Sequence, residues 1–213
     1  MKDCLTLAET KGMFRYIAQN MIASQDLLTD ADRAIGDGDH GVGMSRGFEA
    51  VISMLENDED VDLKDLFAKI GMALITSIGG AAGIIFGTWF IGGGRRLNGI
   101  TRFNAESLVI FLQDGLKAVQ DRGKAKAGDK TMVDVILPAA TAAILYSDKT
   151  LPVILQQVVQ AAKNGMEDTK QMVAGVGKAK PLGDRSLGFA DPGAISASLI
   201  LDFMYDYIKI KDV

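Results

Sequence analysis

The chain of 213 residues contains only one cysteine, one histidine and four prolines. Residue types that several common classes of functional site require are therefore scarce. A single cysteine excludes an internal disulfide and suits a reducing compartment, so we expect a cytoplasmic protein. The nitrogen and sulfur ligands that zinc prefers are too few. The formal net charge is -4, and no basic stripe with interleaved aromatic residues occurs. Nucleic acid is therefore not an expected partner.

Proline- and serine-rich linkers are absent too, and no repeat of roughly 20–50 residues is evident. With 48% hydrophobic residues the chain is able to bury a good core, so we expect one domain over residues 1–213. The first ten residues hold too short an apolar run for a signal peptide.

One uncharged stretch, residues 72–94, has the length of a membrane span. It contains seven glycines, however, and the pair Gly79-Gly80 would break a helix near its middle. We therefore predict two buried helices joined by a glycine turn, without membrane insertion.

Apolar residues recur at helical spacing almost everywhere, and no segment sustains an alternation of period two. This pattern predicts an all-α fold of roughly eight helices joined by glycine-rich turns. Pro138 should kink its helix or mark its first turn, while Asp191 and Pro192 suit the N-cap and first position of the last helix. The predicted core stripes are Phe14, Ile17, Met21 and Leu28; Phe48, Val51, Ile52 and Leu55; Leu63, Leu66, Phe67, Ile70 and Leu74; Leu108, Phe111, Leu112 and Val119; Ile154, Val158, Ala161, Gly165, Met172 and Val173; and Ile195, Leu199 and Phe203.

The densest chemistry lies at residues 36–41, which read Gly-Asp-Gly-Asp-His-Gly, with Asp32 five residues before Asp37. Carboxylates packed this closely repel one another unless a cation lies between them. Their oxygen atoms favour Mg²⁺ as that cation. A solvated acidic turn in which Asp37 or Asp39 caps a helix starting near Met44 would show the same pattern, so the turn alone leaves both interpretations open.

Two familiar motifs do not explain this turn. The glycines spell the GxGxxG pattern of dinucleotide-binding proteins, but residues 29–35 before them are acidic and unlike a strand. An EF-hand loop is excluded because the oxygen ligands and the final glutamate do not fall at the required positions.

Three other glycine-containing connections between helices could contact an anion. Backbone N–H groups at residues 78–83 could cradle phosphate, although close helix packing would also explain these small residues. Residues 122–131 and 177–186 are basic and contain glycine. The first of these loops fails as a P-loop, since it has one residue too many before Lys130 and no preceding strand. Each could also be a solvated basic loop. Together with the acidic turn, they favour nucleotide phosphates held by Mg²⁺ on one side and by amides and cations on the other.

Taken in order, four blocks resemble the nucleotide-binding L subunit of dihydroxyacetone kinase over nearly the whole chain: residues 34–41, 79–83 with 86–88, 122–125 with 128–132, and 182–186 with 191–194. The resemblance implies a barrel of eight antiparallel helices, with ADP or ATP bound at one end through two Mg²⁺. It implies Asp32, Asp37 and Asp39 as metal ligands. The expected nucleotide-binding residues are His40, Gly41, Val42, Gly43, Ala81, Ala82, Gly123, Thr131, Met132, Lys178, Arg185, Asp191, Pro192 and Gly193.

The resemblance also implies a phosphotransferase that works with partner proteins. In the stand-alone bacterial form, a phosphohistidine on an M subunit of the phosphotransferase system rephosphorylates bound ADP. The γ-phosphoryl group then passes to dihydroxyacetone on a separate K subunit. We accordingly expect K and M subunits as partners, and a homodimer is one possible assembly.

Three positions depart from the family, which usually has Asn at Gly43, Ser at Ala82 and Arg at Lys178. Ala82 lacks a hydroxyl donor to phosphate, and Lys178 lacks the two-pronged geometry of arginine. Two other functions therefore stay open. The chain could be an ATP-dependent kinase subunit for another small hydroxyketone or sugar, or a nucleotide-sensing partner of a transcription regulator.

Overall fold

The structure is a computed structural model that describes residues 3–57 and 61–211. In these residues the predicted all-α fold is confirmed, because the strands are limited to a three-residue antiparallel pair with Leu5 opposite Phe103. The elements are β1 (Cys4–Thr6), α1 (Leu7–Ala23), α2 (Gln25–Ile35), α3 (His40–Asn57), α4 (Leu63–Ile78), α5 (Gly80–Gly94), β2 (Arg102–Asn104), α6 (Ala105–Gly123), α7 (Val133–Leu145), α8 (Leu151–Asp168) and α9 (Pro192–Ile210), with short 3₁₀ helices at Thr169–Gln171 and Lys180–Ser186.

Eight helices close into a barrel. In the order α1, α3, α4, α5, α6, α7, α8 and α9, each packs against the next, and α9 packs against α1. Neighbours in this ring run antiparallel, so the N-termini of α3, α5, α7 and α9 lie at one end. The short helix α2 lies outside the ring and packs against α3, α9 and the 3₁₀ helix Lys180–Ser186. The prediction of about eight antiparallel helices is thereby confirmed.

Local caps set where several helices begin. The predicted start of α9 is confirmed, since the Asp191 carboxylate accepts the Ala194 N–H at 2.8 Å and Pro192 occupies the first turn. Pro138 lies inside α7. The start of α3 differs from the expectation, because the helix begins at His40 and not near Met44. The His40 N–H donates to the Asp32 carboxylate at 3.1 Å, which lets the helix start immediately after the acidic turn.

Most predicted stripes face a core built around aromatic rings. Phe14, Phe67, Phe90 and Phe111 are buried, and the rings of Phe67 and Phe111 stack with centroids 4.9 Å apart. Such ring pairs add specific geometry to the burial of large apolar surfaces. The barrel interior is therefore filled with side chains, and the cavity described below lies at its end.

Three predicted stripes were partly wrong, those of α3, α8 and α9. In α9, Ile195, Leu199 and Phe203 are only half-buried, whereas Ala194, Ala197, Ile200, Leu201 and Met204 form the buried face. Small residues face inward there because α9 packs against α1, α2, α7 and α8. The stripe of α8 stops early because the helix ends at Asp168. Residues Ile52, Ala161 and Met172 are half-buried, and Val173 is exposed.

The uncharged stretch forms two helices, as predicted, with Gly79 and Gly80 at φ +85° and +58° between them. Gly71 and Gly87 let α4 and α5 approach closely, since a Cβ atom on Gly87 would lie 2.5 Å from the Gly71 carbonyl oxygen and closer still to Ile75. Within residues 3–57 and 61–211, no helix combines the length and apolarity of a membrane span.

We expect Gly87→Ala to lower the free energy of unfolding by about 1–3 kcal/mol, because backbone of α4 blocks the new methyl group. Gly12→Ala is the matched control, since its methyl group meets the movable Tyr207 hydroxyl and alanine favours helix by about 1 kcal/mol. Urea unfolding of both variants checks this prediction. Equal stabilities for the two variants would contradict the close packing of α4 and α5.

Candidate functional site

A cavity of about 570 Å³ opens at the end of the barrel where four helices begin. Its walls include the first residues of α3, α5 and α9 and the start of α7 at Val133. Each helix N-terminus brings a partial positive charge to the opening, and α5 has no side-chain cap on its first N–H groups. The volume suits a small-molecule ligand, and the four converging N-termini favour an anionic one.

An acidic cluster lies beside these N-termini. Oxygen atoms of Asp32, Asp37 and Asp39 all lie within 4.8 Å of one another. Asp32 is buried at the end of α2, while Asp37 and Asp39 are exposed on the turn before α3. Asp32 also fixes the turn by accepting the His40 N–H. Three carboxylates at this spacing fit a hard divalent cation such as Mg²⁺.

Lys178 supplies a positive charge to the acidic cluster in this structure. Its ammonium lies 2.5 Å from Asp37 Oδ2 and 3.1 Å from Asp39 Oδ1. The hydrogen bond with Lys178 is the main reason why the pKa of Asp37 is lowered, and Asp37 raises the pKa of Lys178 in return. An ammonium group of the same chain thus partly neutralises the acidic cluster in this structure.

The turn between α4 and α5 forms the opposite wall. The first turn of α5 has no side-chain cap, and Ala81 and Ala82 line the cavity there. Arg46 of α3 braces this turn by donating from Nε to the Ser77 carbonyl at 2.5 Å and from Nη2 to the Ile78 carbonyl at 2.6 Å. The carbonyls at the end of α4 are thus satisfied, while the N–H groups of α5 are presented to the cavity.

Arg46 was missed by the sequence predictions although it lines the cavity. Arg46 follows the predicted Gly43 by three residues, so both lie on the same face of a helix. This spacing was the signal in the sequence from which a position of Arg46 at the cavity could have been predicted. Its role could not be read from the sequence, because its acceptors lie more than 30 residues away on another helix.

The floor of the cavity holds two perturbed ionisable groups. His40 Nε2 lies 2.8 Å from Ser196 Oγ, and burial lowers the pKa of this imidazole. Burial raises the pKa of Asp191 to about 7, although the Ala194 N–H and Lys130 oppose the shift. The neutral ring of His40 is thus held in place at neutral pH, and Asp191 titrates near it.

The remaining wall is largely apolar. Ile85, Val119, Ala125, Met132 and Val176 line it, beside Gly123 at the end of α6. Apolar walls with a few placed polar groups are typical of small-molecule sites, and this one suits a flat heterocyclic ring.

The start of α7 is fixed by Asp134. Its carboxylate accepts the Gly128 N–H at 2.6 Å and the Thr131 N–H at 2.8 Å. These bonds hold the loop before α7 against the cavity, where Thr131 and Met132 lie. Asp134 was not among the predicted residues, because its function in the site is indirect.

Most predicted site residues meet at this cavity. Gly41 and Arg185 do not line it: Gly41 is buried where α3 crosses α2, with no room for a Cβ atom beside Gln25 and Thr29, and Arg185 is exposed away from it. Asp37 lies at its edge within the acidic cluster. The predicted residues that line the cavity are Asp32, Asp39, His40, Val42, Gly43, Ala81, Ala82, Gly123, Thr131, Met132, Lys178, Asp191, Pro192 and Gly193. Their individual roles stay predictions.

Fold and site together define an all-α barrel with a cavity at one end, where an acidic cluster lies beside four helix N-termini. Residues 34–206 match the DAK2 domain, and the chain belongs to this family.

Named relatives agree with this assignment. The chain is 38% identical to the ADP-binding subunit DhaL of PEP-dependent dihydroxyacetone kinase 1 from Listeria innocua, over 85% of this chain and 86% of the relative. It is also 38% identical to the corresponding DhaL subunit from Escherichia coli, over 84% and 86% of the two chains. These matches confirm the expected resemblance to L subunits and place the chain among kinase components.

A solved structure agrees with the fold. The dihydroxyacetone kinase of C. freundii in complex with AMP-PNP and Mg²⁺ matches with a TM-score of 0.71 at 26% identity. The match covers 92% of this chain and 33% of that one, so this chain spans about a third of the length of that kinase.

Asp191→Asn should change how stability depends on pH. Because the folded chain raises the pKa of Asp191 from 3.8 to about 7, it binds this proton more tightly than the unfolded chain. Ionisation of Asp191 therefore costs stability as pH rises from about 4 to 7, whereas asparagine caps α9 without titrating. We expect the free energy of unfolding of the wild type to fall by on the order of 1–4 kcal/mol more than that of the variant. Urea unfolding across this range measures the difference, and parallel pH profiles would contradict it.

Proposed function

We propose that the chain is the nucleotide-binding phosphotransfer subunit of a dihydroxyacetone kinase that depends on the phosphotransferase system. The observation that carries this proposal is the arrangement of Asp32, Asp37 and Asp39 beside four converging helix N-termini. A cation site facing an anion site is what a magnesium nucleotide requires. The names of the DhaL relatives support ADP as the nucleotide and dihydroxyacetone as the acceptor.

In this proposal the acidic cluster holds two Mg²⁺, which when bound would offset negative charge on the phosphates. The N–H groups of the first turn of α5, at Ala81 and Ala82, donate to phosphate oxygens. Lys178 lies within reach of the same region and adds a third source of positive charge. The apolar wall around Val119 and Met132 receives the adenine ring.

The chain's contribution is positioning and charge neutralisation. His40 is not required as a nucleophile in this proposal, because its Nε2 is engaged with Ser196 and the phosphoryl group passes between the nucleotide and partner molecules. The groups that give and receive phosphate belong to partners in the cytoplasm: a phosphohistidine of an M subunit, and dihydroxyacetone bound to a K subunit. Both partners would approach the nucleotide from the end of the barrel at which the cavity opens.

A second candidate function is an ATP-dependent kinase subunit for another small hydroxyketone. Ala82 favours this alternative, because a methyl group lines the cavity where the family usually offers a serine hydroxyl. A lost neutral hydrogen bond typically costs about 0.5–1.5 kcal/mol, which would speed nucleotide exchange.

Native mass spectrometry of the purified chain distinguishes the two functions. The carrier function predicts that ADP and magnesium co-purify with the chain. An empty site, together with ATP-driven phosphorylation of a hydroxyketone when a K subunit is added, supports the second function and contradicts the first.

We expect Asp37→Asn to weaken binding of Mg-ADP by at least about tenfold, because it removes a charged ligand of the cation. Helical content should stay unchanged, since the Asp37 side chain is half exposed on a turn. Titration calorimetry with Mg-ADP and far-ultraviolet circular dichroism check both expectations. Asp30→Asn is the matched control, because Asp30 is an exposed carboxylate of α2 paired with Arg33 outside the cluster. Unchanged affinity in Asp37→Asn would refute the proposed metal site.

A phosphotransfer assay tests the activity itself. The chain is mixed with ADP, Mg²⁺, a phosphorylated M subunit and a K subunit loaded with dihydroxyacetone. We expect dihydroxyacetone phosphate to form only when the chain is present. Equal product without the chain would contradict the proposed function.

A further inference from the structure

Between α8 and α9 the chain makes an excursion over the mouth of the cavity. We call residues 170–188 the lid. Its residues Val176, Gly177, Lys178 and Ala179 line the cavity, while Leu187 is exposed on the other side. The lid therefore forms one wall of the site, and the contacts that hold the lid determine whether this wall can move.

The two ends of the lid are joined at a neck. The Gly188 N–H donates to the Lys170 carbonyl at 2.8 Å. The Lys130 ammonium donates to the carbonyls of Thr169 and Phe189, both at 2.5 Å. These two carbonyls immediately flank the lid, so one side chain from the loop before α7 fastens both of its ends.

Lys130 adopts a costly state for a structural lysine. It is 1% exposed, its backbone has φ +60°, and burial lowers the pKa of its ammonium, an effect that Asp191 opposes. Left-handed backbone and buried charge are both unfavourable for lysine, and such strain concentrates at functional sites. Lys130 also lines the cavity, which puts the fastening next to the ligand.

The tip of the lid is held more weakly than the neck. Lys178 and its partner Asp37 are 58% and 53% exposed, and exposed ion pairs contribute little to stability. A small apolar cluster of Ile35, Ala174, Ala179 and Leu182 packs the lid against α2. Gly177 and Gly183, at φ +74° and +55°, flank the part that carries Lys178 and Ala179. The lid can thus open at its tip while its neck stays closed.

We infer that Lys130 is a positioning residue that holds the neck of the lid and thereby sets how long a nucleotide stays in the cavity. This inference rests on the proposed function only for the identity of the ligand. Without the ammonium, the Thr169 and Phe189 carbonyls lose their donor, and the neck is left with the hydrogen bonds from the Gly188 N–H to the Lys170 carbonyl and from the Asp191 N–H to the Thr169 hydroxyl. The lid then opens as a whole more often, and the bound nucleotide escapes faster.

Lys130→Met tests the inference, because methionine keeps an unbranched side chain but donates no hydrogen bond. Trypsin should cut the unliganded variant within the lid, at Lys178 or Arg185, faster than it cuts the wild type. Dissociation of a fluorescent ADP analogue, followed by stopped flow with Mg²⁺ present, should be about ten- to a hundredfold faster, as expected for lost hydrogen bonds to a charged donor.

Two controls separate positioning from general stability. Lys126→Met removes the same charge from an exposed position of the same loop and should leave both rates unchanged. Leu66→Ala creates a cavity in the buried part of α4, lowers the melting temperature and should leave lid cleavage unchanged. Equal lid cleavage and equal dissociation in Lys130→Met and the wild type would overturn the inference.

Hydrogen exchange of the wild type provides a test that does not depend on folding of the variant. The neck amides of Gly188 and Asp191 should exchange slowly without nucleotide, while the tip at residues 177–183 exchanges fast and slows when Mg-ADP is added. Neck amides as fast as the tip would overturn the inference. If the wild type binds no ADP, the proposed function fails, while neck protection and cleavage of the lid still decide the role of Lys130.

Discussion

Closing eight helices into an antiparallel ring obliges four helix N-termini to meet at one end, and the site depends on this constraint. Converging N–H groups and dipoles create a region that attracts anions before any side chain is considered. The acidic cluster of Asp32, Asp37 and Asp39 lies beside that region, supported by the short helix α2 outside the ring. The acidic cluster favours a cation and the helix N-termini favour an anion. A ligand that carries both charges, such as a magnesium nucleotide, suits this arrangement.

Local features of this architecture could be predicted from the sequence. Helical periodicity, the glycine break at Gly79-Gly80 and the cap at Asp191 depend on a few adjacent residues, and the structure confirms them. The acidic cluster was equally accessible, because its members lie within eight residues. The buried face of α9 was not, since a helix with several neighbours buries small residues that periodicity does not distinguish.

Contacts between distant elements could not be predicted. Arg46 bonds carbonyls of α4, and Lys130 bonds carbonyls on both sides of the lid. In the sequence these residues are unremarkable cations, one in a helix and one in a basic loop. The structure shows that each of these side chains donates to two backbone carbonyls of segments near the cavity. In this site, two of the basic side chains organise the backbone.

The central claim is that cation and nucleotide bind to this cavity as one unit. Titration calorimetry of the unliganded wild type with ADP, once with Mg²⁺ and once with a chelator, tests it most directly. The account predicts strong binding with Mg²⁺ and a loss of affinity of at least about tenfold with the chelator, because the carboxylates then repel the phosphates. Equal affinity under both conditions would contradict it.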